Sequence, residues 1–193
     1  MAIALVNVLQ VGEAAPRELH RVRAILEGLL KSETPSVQVL FSLGNLAQLE
    51  GRYSEAERFY RRALKLDSGH ALAANNLAYL AALRGGDLAE AQSLIERALE
   101  VAGPIPALLD TRALIASAAG RPEDAIADLE DALAETSTPA LEFHLCQALL
   151  ASKRRGAARG NYQKLIAQGI GKAHLHPLER TAWDSFEQEM RLE

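Results

Sequence analysis

A helical alternation of apolar and polar positions recurs along most of the chain and returns every 33 to 35 residues. Four segments carry the same signal: Tyr53-Ser54-Glu55-Ala56, Leu88-Ala89-Glu90-Ala91, Pro122-Glu123-Asp124-Ala125 and Arg155-Gly156-Ala157-Ala158. Their final alanines lie 35, 34 and 33 residues apart. Each is followed at +4 by Tyr60, Ile95, Leu129 or Tyr162 and at +7 by Ala63, Ala98, Ala132 or Leu165, one stripe of a helix. A second stripe precedes each: Leu40, Leu43, Gly44, Ala47; Ala74, Leu77, Ala78, Ala81; Leu109, Ala113, Ala116; and Leu145, Cys146, Leu149. The small residue that recurs in these stripes (Gly44, Ala78, Ala113, Cys146) marks where paired helices come close.

Breakers separate the stripes. Gly51-Arg52, Gly85-Gly86-Asp87 and Gly120-Arg121-Pro122 divide the two helices of each pair, and Lys153-Arg154-Arg155 stands in for a glycine turn in the fourth. Asp67-Ser68-Gly69, residues 103–106 and residues 136–139 end one pair before the next. The pattern predicts an all-α solenoid of helix-turn-helix units.

Composition agrees. Of 193 residues, 35 are Ala and 32 Leu while aromatics make up 5%, a mixture rich in helix formers and poor in strand formers. With 49% hydrophobic residues the chain has apolar mass for a core, and no apolar run approaches a membrane-spanning length. A net charge of -4 provides no long-range positive field, which argues against nucleic acid as a partner. The lone Cys146 excludes an internal disulfide.

The motif Leu40-x2-Leu43-Gly44-x2-Ala47, with Gly51-Arg52-Tyr53, Ala56-x3-Tyr60 and Ala63, resembles the tetratricopeptide repeat (TPR), a 34-residue helix-turn-helix unit. Three further units follow in register, so the resemblance covers about residues 37–170. Arg112 departs from the pattern, replacing an apolar residue in the third unit, and the bulky aromatic that often opens the first helix is replaced here by Leu40, Ala74, Leu109 and Glu142. The expected organisation is one continuous superhelix: residues 1–36 a degenerate helical pair, 37–171 four units, and 172–193 a C-terminal capping helix. Leu19, Val22, Leu26 and Leu29 continue the second-helix phase into the first pair. Residues 177–192 read as one amphipathic helix with Leu178, Ala182, Trp183, Phe186 and Met190 on a single face.

The resemblance implies a concave groove lined by the first helix of each unit, holding an extended peptide or a helix of another protein. In the family register its wall comprises Gln38, Phe41, Asn45 and Gln48; Asn75, Asn76 and Tyr79; Asp110, Thr111 and Leu114; and Phe143, His144 and Gln147. Asn45 and Asn76 are candidates to clamp a peptide backbone or, alternatively, to bridge neighbouring helices. Phe41, Tyr79 and Phe143 are candidate apolar anchors. Members that clamp the acidic C-terminus of chaperones place basic residues where Phe41, Ala107 and Thr111 stand here, which argues against such a ligand.

No catalytic set emerges. His174-x-His176 is expected in a surface loop, too sparse for a metal site. His144 and Cys146, at i and i+2, face different sides of a helix, and Cys146 fits a packing role. Glu123-Asp124 and Glu130-Asp131 read as solvated turns, and Lys153-Arg154-Arg155 with Arg159 as a solubilising cluster. The expectation is a non-catalytic protein-protein interaction module with no cofactor and no metal. The alternatives are a homo-oligomer assembling through its repeat ends or the Arg58, Arg61, Arg62 face, and a recruiting or regulatory segment of a larger protein. Residues 2–11 imitate the apolar part of a signal peptide but lack its basic start, so they read as a buried helix and favour the cytoplasm. An uncapped first helix suggests a piece of a longer protein.

Overall fold

The computed structural model describes residues 16–31 and 36–191. The reading of residues 2–15 as the first half of a degenerate pair, and of residues 2–11 as a buried helix, lies outside them. Among the described residues ten α-helices follow one another: α1 (Pro16–Leu30), α2 (Val37–Leu49), α3 (Tyr53–Leu66), α4 (Ala71–Arg84), α5 (Leu88–Ala102), α6 (Pro106–Ala118), α7 (Pro122–Glu135), α8 (Pro139–Ala151), α9 (Arg155–Ala167) and α10 (Arg180–Arg191). Two 3-10 turns, Lys172–His174 and Pro177–Glu179, fill the stretch before α10.

The helices start and stop where local chemistry directs. Pro106, Pro122 and Pro139 open α6, α7 and α8, where a missing N–H costs nothing. Asp87 accepts from the Ala89 and Glu90 amides at 2.9 and 3.0 Å, and Thr138 from Leu141 at 3.2 Å. Gly51, Gly85 and Gly120 turn each pair in the left-handed region, with φ of 72°, 67° and 74°, and Lys153 takes the same conformation at φ 66°. A side chain there is strained, so Lys153→Gly is expected to stabilise the protein by about 0.5–1 kcal/mol, read as a rise in the urea midpoint. An unchanged or lower midpoint would show that the lysine turn carries no strain.

Helices pair as α2/α3, α4/α5, α6/α7 and α8/α9, and each pair stacks on the next. All four motif alanines, Ala56, Ala91, Ala125 and Ala158, are fully buried at these crossings. The helix α6 touches both α4 and α8, so the first helices of successive pairs converge into an inner wall while the second helices fan out behind. One helix serves two layers: Leu108 and Ile115 of α6 join the apolar cluster shared with α1–α5, whereas Leu109, Ala113 and Ala116 join the cluster that runs through α7–α10.

The departure at Arg112 has a partner. Its guanidinium forks onto Asp128 at 2.6 and 2.7 Å, and Asp128 is buried. These positions correspond by register to Leu43 and Phe59 in the first unit, so a charged pair replaces an apolar one. Val22 and Leu26 of α1 are buried as the phase requires, but Leu29 and Ile25 stand exposed among the described residues. Arg23, itself buried, ties α1 to Glu50 and Glu55 at the first turn.

The array is closed by α10. Trp183, Phe186 and Met190 are buried, with the Trp183 ring 5.0 Å from Phe143 and 5.5 Å from Tyr162. The expected single helix over 177–192 is interrupted at its start: Pro177–Glu179 forms a 3-10 turn, and Leu178 therefore packs on the first apolar cluster rather than joining the Trp183 face. The basic cluster also has a structural use. Arg155 and Arg159 donate to the Glu189 and Met190 carbonyls at 2.7 and 3.0 Å, capping the C-terminal end of α10, and Arg154 pairs with Glu123.

Candidate partner-binding groove

The inner wall consists of α2, α4, α6 and α8, and the side chains expected there divide by what they already hold. Asn45 is buried, and its Oδ1 accepts from the Tyr60 hydroxyl at 2.8 Å and from Asn76 Nδ2 at 3.0 Å. Gln48 Oε1 lies 3.0 Å from the same hydroxyl. Asn45 and Asn76 thus bridge α2, α3 and α4 through Tyr60, the second of the two roles weighed for them. Asn75 donates to Asn76 at 3.3 Å, while its own Oδ1 is buried without a hydrogen-bond partner among the described residues. Burial, only partly offset by the hydrogen bond from Asn76, raises the Tyr60 phenol above its ordinary pKa.

Other expected contacts also turn inward. Thr111 bonds back to the Ala107 carbonyl of its own helix at 3.2 Å and is buried. Phe143, expected as an anchor, is fully buried under Trp183 and Phe186, because α10 packs on the surface it would have offered. Phe41 is buried beside the His70 ring at 4.8 Å. Gln38 is exposed, and Gln48, Asn76, Tyr79, Asp110, Leu114 and Gln147 are half-buried.

A buried trio organises the far end of the wall. His144 Nδ1 lies 2.6 Å from Asp110 Oδ1, and its Nε2 contacts Glu179 Oε1. His144 and Glu179 are each 3% exposed, so neither charge survives there without the other. Burial works against the imidazolium, but the Asp110 charge and hydrogen bonds with Asp110 and Glu179 overcome it and push the His144 pKa up to about 10. Glu179 is likewise opposed by burial and held below the ordinary carboxylate value by its hydrogen bond to His144. Burial raises the Tyr79 phenol, helped by the charges of Glu179 and Asp110.

Glu179 does not belong to the wall. It ends the short turn that follows α9, and this segment lies across the groove. The His176 ring sits between Tyr53 and Tyr79, with centroids 5.6 Å away in each case, edge-on to Tyr79. His176 and Pro177 line a cavity of about 140 Å³ with Asn45, Gln48 and Leu49. The expectation of a free surface loop for His174-x-His176 therefore fails at its second member. Burial lowers the His176 pKa, which suits a neutral ring between two tyrosines. The segment is self-braced: Glu179 Oε2 accepts from the His176 amide at 3.1 Å, and His176 Nδ1 from the Leu178 amide at 3.3 Å.

Sequence reasoning missed Glu179, Tyr53 and His176 as groove residues. Tyr53 was visible only as a motif residue, and nothing local marks a carboxylate that meets its histidine 35 residues away. Among the described residues no helix is long and apolar enough to cross a membrane. None of their His, Cys, Asp and Glu side chains form a group of three or more suited to a metal ion.

Residues 37–70 match the family model described as the tetratricopeptide repeat. Over 90 residues the chain is 41% identical to a protein of Pseudomonas aeruginosa named probable biofilm formation methyltransferase WspC, a match covering 46% of this chain and 21% of that protein. The chain thus spans about a fifth of that relative's length. Two crystal structures share the fold: a thermophilic TPR protein of Thermus thermophilus (TM-score 0.70, 20% identity, 97% of each chain) and a tetratricopeptide repeat protein of Parabacteroides merdae (TM-score 0.72, 15% identity, 98% of this chain and 73% of that one). Residues 37–70 thus match a tetratricopeptide repeat in sequence, and the array as a whole shares the fold of tetratricopeptide-repeat proteins.

Proposed function

We propose that this protein is a non-catalytic docking module that takes an extended segment of another protein along the wall formed by α2, α4, α6 and α8. The observation that carries this reading is the turn Pro177–Glu179 with His176: the wall already accommodates a short non-α segment, through ring contacts at Tyr53 and Tyr79 and a charge contact at His144. The amide-rich first turns of the wall, with Gln38 exposed, extend that surface towards the N-terminal end.

A photo-reactive phenylalanine placed at Gln38 and, separately, at the exposed Arg58 of α3 tests the reading. Irradiation in native lysate is expected to give a partner adduct from position 38 and none from position 58. Adducts from position 58 alone, or an adduct with the mass of a second copy, would move the function to the outer face or to self-assembly. The second of these is already weakened at Arg61, which pairs with Glu90 inside the chain.

A second reading concerns context. The similarity to the WspC proteins favours a recruiting segment within a larger methyltransferase-type protein, in which this module selects the substrate protein and leaves the chemistry to another part of the chain.

A further inference from the structure

The stretch after α9 is the most unusual feature of the inner wall, because a TPR groove available to partners need not contain part of its own chain. Gly169, at φ 76°, and Gly171 release the backbone from α9 before the two 3-10 turns. Leu175 then anchors in the second apolar cluster and Leu178 packs on the first, so the four residues from Leu175 to Leu178 span the wall.

The wall imposes two chemical demands on whatever lies there. His144 has its Nδ1 committed to Asp110, which leaves Nε2 as a buried donor, met here by Glu179 of the turn rather than by a residue of the wall; an anion suits it best. Tyr53 and Tyr79 flank a slot that a planar ring fills. His176 and Glu179 meet both demands at a spacing of three residues, with Pro177 opening the 3-10 turn that brings the ring and the carboxylate to the wall together.

Building on the docking function above, we propose that the groove recognises a short segment bearing a ring side chain, a proline next to it and a carboxylate three residues after the ring. On this view His176–Glu179 is an internal occupant that a partner segment of the same chemistry displaces. An internal copy holds the site at high effective concentration, so the groove opens only to partners that match both points or bind beyond them. Selectivity follows from the wall itself: a segment without the carboxylate leaves the His144 donor buried and unpaired.

The test uses the full chain and a fluorescein-labelled synthetic nonapeptide with the sequence of residues 173–181, followed by fluorescence polarisation. The His176→Ala/Glu179→Gln double variant weakens the internal occupant without touching the wall. The peptide is expected to bind it at least tenfold more tightly than it binds the unaltered chain. The same peptide with glutamine at the carboxylate position is expected to lose that binding. Equal affinity for both chains, or no binding to a double variant whose circular dichroism remains that of the native helical fold, overturns the proposal. Should the double variant fail to fold, His176→Ala alone serves, with a smaller gain expected and equal affinity again decisive. The docking function fails separately. A partner that cross-links at position 38 equally well in both chains leaves docking intact and removes the internal competitor, whereas peptide binding without any cross-linked partner supports the internal occupant alone.

Discussion

Replacing His144 by alanine is expected to cost the fold about 3–5 kcal/mol, because it leaves two carboxylates facing each other in a site closed to water. Glu179 is buried and Asp110 nearly so, and the imidazolium is the cation between them. Against a total stability of about 5–15 kcal/mol for a domain, such a loss unseats the segment before it unfolds the repeats. Trp183 is the only tryptophan and is buried beside Phe143 and Tyr162, so its emission reports the docking of α10 next to that segment. A red-shifted emission at temperatures where helical circular dichroism persists is the expected signature. A variant with unchanged emission and midpoint would mean that the trio contributes nothing.

The same group fixes the direction of the pH dependence. His144 has a folded pKa of about 10 against an ordinary 6.5, so its contribution is complete below about pH 6.5 and disappears as pH rises through about 10. Glu179 is shifted down from 4.5, so its contribution is present above that value and lost as pH falls further. The groups facing the imidazole act together: Asp110 and Glu179 hold the proton on, Tyr79 lies beside the same carboxylates, and His176 in the neighbouring turn is disfavoured as a cation. The stability gap between the native chain and His144→Ala is therefore widest at mildly acidic pH and closes under alkaline conditions.

Gly44→Ala is the second large effect, with an expected loss of about 2–3 kcal/mol. A Cβ at position 44 would stand 2.4 Å from Cε1 and 2.6 Å from Cδ1 of Tyr60. The ring has no exit: it is fully buried, and its hydroxyl is tied to Asn45 and Asn76. Alanine's better helix propensity, worth about 1 kcal/mol, offsets only part of the clash. The second and third units follow the same size rule in sequence, since Ala78 and Ala113 occur where the counterparts of Tyr60 are the smaller Ile95 and Leu129, whereas the fourth departs from it by setting Cys146 opposite Tyr162. Urea denaturation of Gly44→Ala, Tyr60→Ile and the double variant measures it: the double variant is expected to be more stable than the sum of the single losses predicts. An additive result, or a Gly44→Ala variant as stable as the parent, would refute the close approach.

These two sites mark the limits of what the sequence reveals. The repeat, its turns and the small residue at each crossing are legible because they recur at a fixed period and answer to local geometry. Gly44 and Ala56 are such positions, and so is the phase of Val22 and Leu26. Positive φ at Lys153 is legible only by analogy with Gly51, Gly85 and Gly120, since lysine carries no sign of the conformation it adopts. The wall is harder to read. Family register places Asn45, Thr111 and Phe143 on the first helices, but not whether Tyr60, the Ala107 carbonyl or α10 claims them. The meeting of Glu179 with His144 depends on a non-repeating segment folding back across the array, and no periodicity encodes that path. The sequence does carry a faint trace of it, in glycines at 169 and 171 followed by Pro177, a stretch that breaks the helical pattern where a plain cap would continue it.

The most direct measurement is the titration of the His144 imidazole in the native chain by long-range proton–nitrogen NMR. With Glu179 seated in the groove, the ring is expected to stay doubly protonated through about pH 8 and to release its proton only near pH 10. A midpoint near the ordinary 6.5 would show that no carboxylate faces Nε2, and that the groove stands open rather than filled by its own chain.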